Sequence, residues 1–169
     1  MKRTVFTLIL TSIFGATQAQ LTPPLPAEMK ALDGLLGEWS GTMKMTMPGA
    51  TEPMDVPTTV SCKTYGLFQD TTYTMDMGAM GKFSGHMFLT WSGADKCYKS
   101  WGFDSNINEP RTEKGTWDGK KLVLVSDPQG GMITRITFQP KSTNEVFFLL
   151  EMKNGDKFDK MGEVVYKRK

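Results

Sequence analysis

Beyond Gly37 the chain reads in twos: apolar and polar side chains alternate, and clusters of Gly, Pro, Asn and Asp interrupt the alternation every eight to twelve residues or so. A period of two puts successive side chains on opposite faces of an extended strand, so each segment can bury only one face. Trp39, Gly41, Met43, Met45 and Met47 share one face of the first segment, and Ser40, Thr42, Lys44 and Thr46 share the other. The same division recurs with Phe83, Gly85, Met87, Leu89 and Trp91, and again with Val146, Phe148, Leu150 and Met152. The turn clusters include Pro48-Gly49, Ser92-Gly93, Asp118-Gly119 and Asn154-Gly155-Asp156. Together they predict strands near 39–47, 56–66, 69–77, 82–91, 96–104, 111–118, 121–127, 131–139, 145–153 and 163–168. Ten strands joined by short turns form an antiparallel meander, and a sheet that wide tends to close because closure removes its unpaired edges. The expected fold is therefore all-β, an antiparallel up-and-down barrel of about ten strands, with a short helix before it over Ala27 to Leu35 or Leu36.

The first nineteen residues do not fit this pattern. Lys2 and Arg3 precede a short apolar run from Val5 to Ala16, and Thr17-Gln18-Ala19 supplies small residues where a signal peptidase cuts. The reading is a signal peptide over 1–19, cleaved after Ala19, then an extended Pro-rich linker over 20–27 and the barrel over 28–169. The apolar run is too short to span a bilayer, which points to an exported periplasmic or secreted product with no membrane insertion. Cleavage removes two of the 20 Lys+Arg and none of the 18 Asp+Glu, leaving 18 against 18. A neutral chain whose only basic run is Lys167-Arg168-Lys169 is a poor match for a phosphate backbone, so nucleic acid is not expected as a partner.

Gly37-Glu38-Trp39-Ser40-Gly41, opening the first strand after a short helix, resembles the G-x-W motif of lipocalin-like barrels. Three further segments follow in order: Met80-Gly81-Lys82-Phe83-Ser84-Gly85-His86, Gly93 to Tyr98 with Trp101, Phe103 and Asp104, and Gly115-Thr116-Trp117-Asp118. With these the sequence resembles domain of unknown function 1579 over roughly residues 28–127. The resemblance implies an exported lipocalin-like barrel whose Trp39 packs across the closed end; it implies no activity, cofactor or catalytic residue.

Chemistry-bearing residues are sparse. His86 is the only histidine, no G-x-S-x-G elbow is present, and parity sets His86 opposite the apolar face of its strand. An enzyme is not the favoured reading, since no set of nucleophile, base and metal ligands can be assembled. Cys62 and Cys97 fall three strand spacings of about 4.8 Å apart, beyond the roughly 7 Å that a disulfide tolerates between Cα atoms, so two free thiols are expected. Asp70, Asp76, Asp95, Asp104, Glu113 and Asp118 lie near strand ends, where solvated turn positions are the ordinary explanation; Asp104, beside Trp101 and Phe103, could contribute to a barrel mouth.

Methionine stands out. Of 13 Met only Met1 belongs to the signal, and the spacing of Met43-Lys44-Met45-Thr46-Met47 and of Met75-Asp76-Met77 puts thioethers on common faces. Such a face suits a shape-adaptable cavity wall, and soft thioethers also suit Cu(I). The leading expectation is an interior that binds a small apolar or amphipathic molecule, lined by Trp39, Met43, Met45, Met75, Met87, Trp91 and Trp101, with no metal or other cofactor. The alternatives are a solid barrel without ligand and a Met-rich periplasmic Cu(I) or haem binder. An outer-membrane barrel fits poorly, because Lys44, Lys63, Lys99, Glu113, Arg135 and Glu151 put charge on both parities.

Overall fold

The computed structural model describes residues 23–169; the stretch expected to be a signal peptide, and the first residues of the expected linker, lie outside the described residues. Ten strands close into one antiparallel barrel: β1 (Gly37–Met45), β2 (Met54–Tyr65), β3 (Phe68–Asp76), β4 (Lys82–Ser92), β5 (Cys97–Asp104), β6 (Arg111–Trp117), β7 (Leu122–Ser126), β8 (Thr134–Ser142), β9 (Glu145–Asn154) and β10 (Lys157–Arg168). Each strand pairs with its sequence neighbours, and β1 pairs with β10 to close the wall, Trp39 opposite Arg168 and Met45 opposite Gly162. Among the described residues the closed sheet leaves no strand edge for another chain to pair with.

Nine of the ten strands lie close to their sequence-predicted positions. The last differs most, starting at Lys157 instead of 163, because a bulge between Lys160 and Gly162 shifts the pairing and breaks the alternation on which the prediction depended. The expected N-terminal helix is also divided. A single turn, α1 (Ala27–Lys30), is followed by a 3-10 turn over Asp33–Leu35. The break serves burial: Met29, Leu32 and Leu35, at intervals of three, are all buried, and a 3-10 turn stacks residues at that interval.

This segment plugs one end of the barrel. The Trp39 indole donates to the Leu35 carbonyl (3.0 Å), Gln69 Nε2 donates to the Leu32 carbonyl (3.1 Å), and the Tyr98 hydroxyl donates to the Glu28 carbonyl (2.7 Å). Arg168 covers the outer side of Trp39 with its guanidinium 4.2 Å from the ring centre. Trp39 therefore closes the barrel, as the G-x-W resemblance implies. The opposite end is formed by the connections 46–53, 77–81, 105–110, 127–133 and 155–156.

Candidate functional site

Below the plug the interior opens into a cavity of about 270 Å³. Most of its wall is apolar, with Met43, Met75, Met87, Phe83, Phe138 and Phe148 among the lining residues, while Asn106 and Ile107 of the 105–110 connection border its mouth. Near the plug the remaining space between Leu35, Trp39, Cys62 and Leu122 is only about 30 Å³. The wide space thus lies toward the loop end.

The seven residues expected to line a cavity divide into four groups. Met43, Met75 and Met87 line it. Met45 is buried on the same face of β1 but belongs to the packed core and does not line the cavity. Trp39 and Trp91 sit toward the plug, Trp91 edge-on to Tyr98 with ring centres 5.1 Å apart. Trp101 is a correction: it faces outward. Trp91 pairs with Tyr98, and directly opposed residues share a face, so Tyr98, Ser100, Gly102 and Asp104 point inward while Trp101 and Phe103 point out. Trp101 joins Tyr65, Phe68, Phe88 and Phe103 around a groove on the outer wall.

Met75 and Met87 do not converge on a point. Met75 pairs with Phe83 and Met87 with Thr71, which separates Met75 and Met87 by four positions, or about 13 Å of strand. They form a wall and not a ligand sphere for one Cu(I) ion. His86, the axial ligand a haem reading would call on, lies on the outer face, where its Nε2 bonds Asp70 and its ring rests 4.5 Å from that of Phe88. Cys62 and Cys97 are free thiols. Burial pushes the Cys62 thiol up to about 11, with a partly opposing hydrogen bond from Thr71, so it is a poor nucleophile at neutral pH.

Glu113 is a second correction, and Asp104 is one in part. Both were expected at solvated turn positions, with Asp104 also offered to a barrel mouth, yet the Asp104 and Glu113 side chains are 3% and 1% exposed. Both face inward and meet Arg111, whose Nε donates to Glu113 Oε1 (2.7 Å) and whose Nη1 donates to Asp104 Oδ2 (2.5 Å). The Tyr73 hydroxyl donates to Asp104 Oδ1, and the Ser100 hydroxyl donates to Glu113 Oε2. Burial opposes the charge on Arg111, but Glu113 and Asp104 together hold its pKa above the ordinary arginine value. Burial and the adjoining Asp104 carboxylate likewise raise the Tyr73 phenol, which stays protonated.

Two glycines make room for this cluster. A Cβ on Gly85 would lie 2.2 Å from the Tyr73 hydroxyl oxygen, and one on Gly102 would lie 2.9 Å from Arg111 Nη2. Tyr73, Asp104 and Arg111 also line the cavity, which makes the cluster its polar end. Sequence reading missed this group because each member looks ordinary by itself. The available signal was the register: Ser100 pairs with Glu113 and Gly102 with Arg111, across strands whose inner faces carry polar residues where other strands carry Met, Leu or Phe.

A family model matches residues 26–168, nearly all of the described chain. The chain belongs to the family described as Protein of unknown function (DUF1579). Solved structures similar to this DUF1579 barrel include these two. One is Rv2717c from M. tuberculosis, at 18% identity and a TM-score of 0.60, covering 86% of this chain and 99% of that one. The other is the S-type phycobiliprotein lyase CPES from Guillardia theta, at 10% identity and a TM-score of 0.59, covering 83% of this chain and 92% of that one. At these identities the likeness concerns the fold. A search of curated proteins found no match.

Proposed function

We propose that this DUF1579 barrel is an exported carrier that holds one small amphipathic molecule inside the barrel. The observation that carries the reading is the cavity itself: about 270 Å³, walled by Met and Phe, sealed on one side by the helical plug and bordered on the other by the 105–110 connection. Binding pockets combine a largely apolar wall with a few fixed polar groups, and this one is near the lower end of the usual range of about 300–1,000 Å³. Methionine suits such a wall because its unbranched chain adapts to the occupant's shape. One of the similar structures named above is a phycobiliprotein lyase, which supports a ligand-handling role for this barrel.

The test uses the uncharged fluorophore N-phenyl-1-naphthylamine. Wild-type protein should enhance its emission saturably, with one site per chain. Met75→Trp, which fills the cavity from a half-buried wall position, should weaken binding at least tenfold while the protein stays folded. Absence of saturable binding, or indifference to both Met75→Trp and Leu150→Trp, would overturn the reading. Native mass spectrometry of freshly purified protein shows whether a molecule co-purifies. The export half of the proposal rests on the basic start and apolar run of residues 1–19, and it expects the processed chain to begin at Gln20. N-terminal sequencing of the protein from the extracytoplasmic fraction checks this, and a chain that retains Met1 inside the cell would refute it.

A further inference from the structure

The polar end of the cavity is charged, and its sign selects among ligands. Two carboxylates, Asp104 and Glu113, share one guanidinium, Arg111, so the cluster carries one net negative charge. Asp104 and Arg111 are the charged residues among those lining the cavity, and Glu113 stands behind Arg111, anchored to Ser100. Arg111 bonds the two carboxylates through Nε and Nη1 and keeps further N–H donors, but its charge is already balanced by both anions, and an incoming carboxylate or phosphate that reached it would meet Asp104 at close range. In this buried setting that repulsion is weakly screened.

A positively charged donor meets the opposite situation. Each Asp104 oxygen accepts one bond, from Tyr73 and from Arg111. A carboxylate offers about four lone-pair sites in all, so acceptor capacity remains on the cavity side. The rings of Tyr73 and Phe83, both in the lining, are inclined by 30° with centres 6.2 Å apart and add aromatic faces that favour a cation.

Building on the carrier reading, we propose that the cavity takes a cationic amphiphile, a primary ammonium ion with an apolar body. The nitrogen donates to Asp104, and the body lies along Met75, Met87 and Phe148. The excess negative charge of the cluster is what excludes the matching carboxylate.

The experiment displaces N-phenyl-1-naphthylamine with three compounds that share one chain: octylammonium, octan-1-ol and octanoate. Octylammonium should bind at least tenfold tighter than octanoate, with the alcohol between them. Glu113→Gln removes one negative charge while keeping a side chain that can bond Ser100 and Arg111, and it should shrink the ammonium-to-carboxylate ratio severalfold. Asp104→Asn should shrink it further. Octanoate binding as tightly as octylammonium to wild-type protein would overturn the charge selection while leaving the cavity reading standing. If none of the three displaces the bound fluorophore, the ammonium proposal fails, while the carrier reading is decided separately by fluorophore binding and its loss in Met75→Trp. The wild-type comparison decides the matter even if a variant does not fold.

Discussion

The two ends of this barrel are made from the same alternating strands, yet one is filled and the other is hollow. Near the plug about 30 Å³ is left unfilled, against about 270 Å³ toward the loops. Strand count supplies the reason. A barrel of about eight strands is just narrow enough for its own side chains to fill, and ten strands enclose more than they can occupy. At the plugged end Met29, Leu32 and Leu35 come from outside the sheet to make up the difference. Toward the loop end no helix among the described residues enters the interior, and the space is bounded by flexible thioethers and by a charged cluster that must itself be held in place. Stability should therefore concentrate at the plug, and selectivity at the cluster.

The sharpest way to break this contrast is Trp39→Ala. The indole is 2% exposed, bonds Leu35 and lies under Arg168, so truncation leaves a void, an unmet carbonyl and an unstacked guanidinium. A loss of about 3–5 kcal/mol is expected in urea unfolding. If the two ends are separable, fluorophore affinity in the folded variant should change less than threefold. A loss under about 1 kcal/mol would show that the plug is not where the barrel is held.

Arg111→Met probes the other end. It leaves Asp104 and Glu113 buried without their shared cation, at an expected cost near neutral pH of about 3 kcal/mol. A double variant, Arg111→Met with Glu113→Gln, removes one of the two stranded charges and should recover part of that cost. No recovery would mean that packing, and not charge, accounts for the loss.

The contrast also explains what could be read from the sequence. The wall was legible because burial on one face enforces period two: Trp39, Met43, Met87 and Leu89 all lie on the side their parity indicates. Where a bulge breaks parity, near Met161, the predicted start of β10 fell at 163 instead of Lys157. Trp101 misled for a different reason: its bulk suggested the interior, but its face is set by the four-residue turn 93–96 that aligns Trp91 with Tyr98. That turn carries Lys96 at φ 54°, a left-handed conformation that residue type does not announce. The cluster was hidden still more deeply, because buried Asp104 and Glu113 become acceptable only once β5 and β6 are in register and Arg111 lies between them. Hydropathy cannot report a charge that is paired only in three dimensions.

The smallest effect should come from alkali, and it should act on the plugged end. Cys62 borders the narrow space beside Leu35 and Trp39, and burial raises its thiol from 9.0 to about 11. Tyr166, which reaches both spaces, is raised by burial from 10.0 to about 12. Both groups hold their protons more tightly folded than unfolded. As pH rises past about 9 the unfolded chain gives up protons first, and stability falls through this window instead of rising. The Cys62 share is on the order of 2 kcal/mol between about pH 8 and pH 11, read as a drop in urea midpoint that Cys62→Ala should partly abolish. Thiol labelling provides the internal control. At about pH 8, half-buried Cys97 should react in the native protein, whereas buried Cys62 should react only as the plugged end opens. Equal labelling rates for the two thiols would show that the filled end opens as readily as the hollow one.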